Sequence, residues 1–214
     1  MSIKFAVLFP AHLNLNGDLA NIKVLRRRLD WAGLPSSIQV VASGQAIDSD
    51  VDLVIIGHGS VAAWNDIRDD LVERKTELET LLANGVQLLA IATGYEMLFA
   101  KTATGQQGIG LLGGDIELVE RLSKFEVTEF EGKQLLGYLN SEADLAVIAR
   151  HGGILGINLH GPVLAKNPEL ADEILTQLLT KHGLDSAGLG NKKAAYADGL
   201  VAEVWKLEKE LASE

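Results

Sequence analysis

Three short stretches of this chain carry residue types whose order could support chemistry. Leu88-Leu-Ala-Ile-Ala92-Thr-Gly-Tyr-Glu-Met-Leu98 reads as an apolar strand, a tight small-residue turn and a short helix. That is the geometry of a nucleophile elbow, with residue 92 on a strained turn and a helix start behind it that favours negative charge. Gly57-His58-Gly59 directly follows a second apolar run at residues 51–56. Leu159-His160-Gly-Pro162 sets a histidine on a loop between two elements, where an imidazole can serve as a general base. Each stretch taken alone has a plain alternative: a strand–helix turn, a loop, a hydrogen-bonded structural histidine.

Several chemistries have no residues to carry them. The sequence contains 0 cysteines, which removes disulfides, thiolate metal sites and a cysteine nucleophile. The 5 histidines (His12, His58, His151, His160, His182) show no metal-ligand spacing, so no metal site is expected. Asp48, Asp50 and Asp52 alternate and read as a solvated loop before a strand. No G-x-x-x-x-G-K-[ST] phosphate loop and no G-x-S-x-G hydrolase elbow occur. Gly108-Ile-Gly-Leu-Leu-Gly113 matches G-x-G-x-x-G but lacks a strand before it and a helix after it, so it reads as a glycine-rich loop. No cofactor is implied. The formal net charge of −10 argues against nucleic acid as a partner. The basic run Lys23-Val-Leu-Arg-Arg-Arg28 reads as a solvated helix face. No signal peptide and no span of about 20 apolar residues is present, and a cytoplasmic location is expected.

The elements that must position these stretches follow from periodicity. With 214 residues and 47% apolar composition, the reading is one domain over residues 1–214. Strands are expected at residues 3–9, 38–42, 51–56 and 87–92. Helices are expected at residues 19–32, with Asp18 as N-cap, at 65–84 and at 95–100. Strands alternating with helices imply an α/β fold with a mostly parallel central sheet and helices on both faces. In such sheets the chemistry sits at the carboxyl ends of the strands, here the loops at 10–17, 57–60 and 92–95. The middle, residues 105–150, reads as a meander with strands at 116–130 and 134–138. Two short strands at 146–150 and 154–159 follow, then a helix from Asn167-Pro168 to residue 181 and a last helix at 192–212.

The combination of elbow, glycine-flanked loop and later histidine resembles class I (triad-type) glutamine amidotransferase domains of flavodoxin-like fold. The resemblance is to the CobB/CobQ-like branch and, within it, to its GatD-type members. Residues 14–31 are similar to an N-terminal N-x-Y-G-D-x-G-N-x-x-x-L-x-x-R signature. Ala90-Ile-Ala-Thr-Gly-Tyr-Glu96 is similar to A-I-C-G-G-Y-Q, and residues 159–168 to L-H-G-P-L-L-P-K-N-P. The resemblance implies that His160 is the catalytic histidine of a Cys–His dyad, since Pro162 stands where a triad glutamate would be. It implies that Gly57, Gly59 and the Thr93 N–H form an oxyanion site. Arg121 would hold the glutamine carboxylate, and Asn140 survives from a G-F-E-N-H stretch. Glutamine is the implied ligand. The implied partner is a MurT-like ATP-dependent ligase subunit, which would use the released ammonia to amidate the D-glutamate of lipid II in the cell wall.

One departure governs the functional expectation. The nucleophile position holds Ala92, and a methyl group cannot attack an amide carbonyl. Thr93 and Glu96 also replace the glycine and glutamine of the motif, a pattern of drift around the missing cysteine. The expectation is a glutaminase-inactive binding or scaffold subunit. Two alternatives stay open: an inactivated form of a working amidotransferase, and a different small-molecule activity on the same scaffold.

Overall fold

In the computed structural model, which describes residues 2–212, the chain begins β1 (Ile3–Leu8), α1 (Ala20–Trp31), β2 (Ser36–Val41), β3 (Leu53–Ile56). It continues through α2 (Val61–Glu73), α3 (Lys75–Ala83), β4 (Gln87–Ile91) and α4 (Thr93–Glu96). A long hairpin follows, β5 (Leu118–Phe130) and β6 (Lys133–Ala143), then β7 (Ile148–His151), β8 (Ile154–Ile157) and β9 (Leu159–His160). The remainder is helical: α5 (Val163–Lys166), α6 (Pro168–Lys181), a 3₁₀ turn at Ala187–Gly190 and α7 (Lys192–Ala212).

Six strands form the central sheet in the order β2-β1-β3-β4-β8-β7. All neighbours are parallel except the edge strand β7, which pairs antiparallel with β8. The strands are apolar on both faces because both faces are covered. Ile3, Phe5 and Val7 of β1, Leu53 and Ile55 of β3, and Leu89 and Ile91 of β4 share a core with α1, α5 and α6. Their alternates Ala6, Leu8, Val54, Ile56, Leu88 and Ala90 pack against α2 and α3. The strand period of two thus assigns each side chain to one layer.

The expected meander is a second, three-stranded antiparallel sheet, β5-β6-β9, separate from the main one. After β8 the chain leaves the central sheet, and Tyr138↔His160 and Leu139↔Leu159 pair β6 with β9. His160 is therefore held by the small sheet although it follows a strand of the large one.

Several boundaries differ from the periodicity. The helix expected over 65–84 is two helices meeting at Arg74, and it starts earlier because Ser60 caps α2 by accepting from the Ala63 N–H at 3.2 Å. The Arg74 guanidinium bonds Asp70 at 2.6 Å and Glu77 at 3.0 Å, so one buried side chain joins both helices. Asp18 is not the N-cap of α1. Asn14 Oδ1 takes the Leu19 N–H at 3.0 Å, and the Asp18 side chain turns inward, fully buried. The short helix α5, which was not expected, precedes α6. The 108–113 glycine stretch is a loop, as read from the sequence; a Cβ on Gly108 would sit 2.1 Å from the Phe99 carbonyl oxygen.

Two asparagines show why the first and third motif stretches are specific. Asn21 of α1 donates to the Gly161 carbonyl at 3.3 Å and accepts from the Leu164 N–H at 2.9 Å. Asn167 does not cap α6 with its side chain. It exchanges two bonds with the Leu136 backbone, each 2.9 Å. Both are buried; Asn21 satisfies backbone groups at the turn from β9 into α5, and Asn167 satisfies those of Leu136 on β6. Arg28, also buried, pins α7 to α1 and α6 through Asp172 and Asp198.

Gly156 of β8 leaves the room that the Tyr95 ring occupies: a Cβ there would lie 2.2 Å from two ring carbons. Gly156→Ala is expected to lower unfolding stability by about 1–3 kcal/mol in urea denaturation, because Tyr95 is buried and has no free space to move into.

Candidate active site

The turn from β4 into α4 sets the site. Ala92 has φ 49° and ψ −118°, a backbone region that L residues rarely adopt. It is held there from both sides: its N–H donates to the Ile157 carbonyl at 2.7 Å and its carbonyl accepts from the Tyr95 N–H at 2.9 Å. Gly94 is required by close approach, since a Cβ would be 2.6 Å from the Gly57 carbonyl oxygen and 2.7 Å from that of Ile56. The start of α4 thus lies directly on the end of β3.

That contact brings the Thr93 hydroxyl into the loop after β3. Its oxygen accepts from the Trp64 indole N–H at 2.8 Å and from the Gly59 N–H at 3.2 Å, and lies 2.9 Å from His58 Nδ1. These donors hold the hydroxyl, whose own hydrogen can go to the Gly59 carbonyl at 3.3 Å or to His58, and they make Thr93 a clamp between elbow and loop. It also means that the Gly59 N–H already has a partner.

The two histidine rings of the site lie edge to face, centroids 4.6 Å apart. Burial, then the neighbouring His160, pushes the His58 pKa down to about 4, so the ring is neutral at pH 7. Burial also lowers that of His160, against the opposing pull of the Asn140 carbonyl and Asp18. His160 Nε2 lies 2.8 Å from the Asn140 carbonyl oxygen and Nδ1 lies 2.6 Å from Asn16 Nδ2. The Asn140 side chain accepts from Arg121 Nε at 2.9 Å. Asn140 therefore links β5, β6 and β9. Asp18 lies behind the site, its Oδ2 accepting from the His58 N–H at 3.3 Å and its Oδ1 with no partner. Burial pushes the carboxyl pKa of both Asp18 and Glu96 upward, and Glu96 accepts from the Ala103 N–H at 2.6 Å.

A cavity of about 260 Å³ joins these groups, lined among others by His58, Gly59, Ala92, Thr93, Arg121, Asn140 and His160. The structure thus gathers the sequence-derived candidates at the carboxyl ends of β3, β4 and β8, with one exception. Gly57 is not on the wall: it packs on the Leu13 carbonyl, to which a Cβ would come within 2.3 Å. A wider groove of about 520 Å³ beside α7 contains none of the candidates. Asn16 and Trp64 were not singled out from the sequence. They sit 144 and 29 residues from the groups they bond, and no local pattern connects them.

Ala92→Gly is expected to raise unfolding stability by about 1 kcal/mol in chemical denaturation, because glycine adopts this backbone region without strain. The lowered His58 pKa gives a pH dependence. The unfolded chain takes up a proton near the ordinary value of 6.5 and the folded chain only near 4, so stability is lost as pH falls from about 6.5 to about 4. Asp18 and Glu96, with raised values, act in the opposite sense, favouring the fold at low pH. His58→Gln should therefore flatten the fall in Tm between pH 7 and pH 5; an unchanged slope would show that His58 is not its source.

No family model matches the chain. It is 27% identical over 201 residues to the lipid II isoglutaminyl synthase (glutamine-hydrolyzing) subunit GatD of Staphylococcus aureus, covering 80% of this chain and 82% of that one. The corresponding subunit of Streptococcus pneumoniae is 24% identical over 234 residues, covering 94% and 88%. A solved glutamine amidotransferase from Thermotoga maritima superposes with a TM-score of 0.51 at 16% identity, covering 94% of this chain and 95% of that one, and so shares the fold. Among the described residues no helix is long and apolar enough to cross a membrane. The chain thus shares the glutamine amidotransferase fold and is similar in sequence to the GatD subunits of lipid II isoglutaminyl synthases.

Proposed function

We propose that residues 1–214 form one GatD-like domain that has lost glutaminase chemistry. In this reading it serves as the binding subunit of a lipid II isoglutaminyl synthase-type assembly, with a MurT-like ATP-dependent ligase as partner. The observation that carries the reading is the elbow itself: its strained turn is kept, yet the side chain it presents to the cavity is a methyl group. Thr93 is held as a clamp by Trp64 and Gly59. The relatives in Staphylococcus aureus and Streptococcus pneumoniae support the assembly by their names, and the acceptor chemistry and ATP use would belong to the partner. Glutamine is the ligand the cavity would take, with Arg121 and Asn140 as its polar contacts and His160 and the Thr93 N–H along its path.

The retained turn also favours a second reading, in which the chain is an inactivated form of a working amidotransferase. Glutamate release from glutamine separates the two, measured for the wild type, Ala92→Cys and Ala92→Cys/His160→Ala in the presence of the co-expressed ligase. The proposal expects no release from the wild type and a stable complex with the ligase on gel filtration. Release by the wild type, or failure to form any complex, would overturn it. Full, His160-dependent release by Ala92→Cys would support the second reading.

A further inference from the structure

His160 keeps no ring nitrogen for residue 92. The Asn140 carbonyl oxygen, 2.8 Å from Nε2, can only accept, so Nε2 carries the hydrogen. The Asn16 amide nitrogen, 2.6 Å from Nδ1, can only donate, so Nδ1 is the acceptor. Together the two contacts define one neutral tautomer, and an imidazolium would set its Nδ1–H against the Asn16 N–H.

The two partners differ in kind. Asn140 contributes main chain from β6, fixed by the pairing of β6 with β9. Asn16 contributes a side chain from the exposed turn after β1, 144 residues away.

We infer that Asn16 is a positioning residue that holds His160 out of reach of base chemistry, so that the site is silenced at residues 16 and 92 together. A cysteine restored at 92 alone then meets an imidazole with both nitrogens engaged, and its thiol is not activated. The inference rests on the amidotransferase-like reading of the site, but its test needs neither glutamine nor the ligase.

The chain has 0 cysteines, so Ala92→Cys introduces the sole thiol. The rate of iodoacetamide alkylation against pH then reads its thiolate directly. Other groups also bear on that thiol: His58 from the β3 loop, Asp18 behind it, Arg121 and Glu142 from the hairpin, Glu96 and the start of α4. They are common to all variants, so only differences between variants are interpreted. Removing His160 from the Ala92→Cys protein is expected to leave the thiol pKa unchanged. Adding Asn16→Ala is expected to lower it by at least about one unit, or tenfold more thiolate near neutrality, and adding His160→Ala to that double variant should abolish the shift.

A His160-dependent lowering already present in Ala92→Cys, or no lowering on adding Asn16→Ala, would overturn the inference. Asn16 is exposed, so its replacement leaves the core untouched, and Asn16→Ser gives a second variant for the same comparison. Long-range ¹H–¹⁵N spectra of the wild-type chain provide an independent reading. They should show His160 as the Nε2–H tautomer and a shift toward a mixture in Asn16→Ala; a mixture in the wild type would count against Asn16.

Discussion

The close approach of α4 to the end of β3 is the constraint on which the site depends. Gly94 lies so near the Ile56 and Gly57 carbonyls that no side chain fits between them. With that distance set, Ala92 must turn through a positive φ to let the chain leave β4, and Thr93 is pressed into the loop after β3. The Thr93 hydroxyl then gathers Trp64, Gly59 and His58 around one oxygen. Strain at residue 92 persists because hydrogen bonds on either side of it, to Ile157 and from Tyr95, would be lost if the turn relaxed.

The electrostatics of the cavity follow from the same crowding. Two imidazoles 4.6 Å apart, both largely removed from water, would repel each other if both were charged. They are kept neutral by burial, and each is tied to a neighbour that suits the neutral form: Thr93 for His58, Asn16 and the Asn140 carbonyl for His160. Asp18 and Glu96 sit at the back and side of the cavity with raised pKa values, so burial acts on all four groups in the direction that disfavours charge. This is a site organised around hydrogen bonds among its own walls.

Much of this was legible in the amino-acid order. The apolar runs of β3 and β4 announce strands buried on both faces, and their spacing with α1 and the α2–α3 segment implies a parallel sheet. The helix Lys192–Ala212 has the bounds that its periodicity suggests. Less was legible where a side chain changes partners over distance. Asp18 looks like a helix cap because acidic residues before a helix often are, yet α1 has no side-chain cap, Asn14 accepts the Leu19 N–H, and Asp18 turns into the core. The break at Arg74 is invisible in a continuous helical pattern, and the Arg74 guanidinium bonds carboxylates on both sides of it at spacings that an unbroken helix also has.

Sequence by itself determined the fold class and the residue, Ala92, that stands on the turn after β4, since these depend on residue type and on spacing within a dozen residues. Tertiary structure alone decided which groups surround that turn and how their hydrogen bonds are shared. Whether His160 has a free nitrogen depends on an amide from the β1 turn and a carbonyl from the small sheet. Whether Thr93 can stand in for a cysteine depends on an indole from α2. Hydrogen-bond partners are assigned by which groups fold to within 3 Å of one another, and no local pattern of residues encodes that distance.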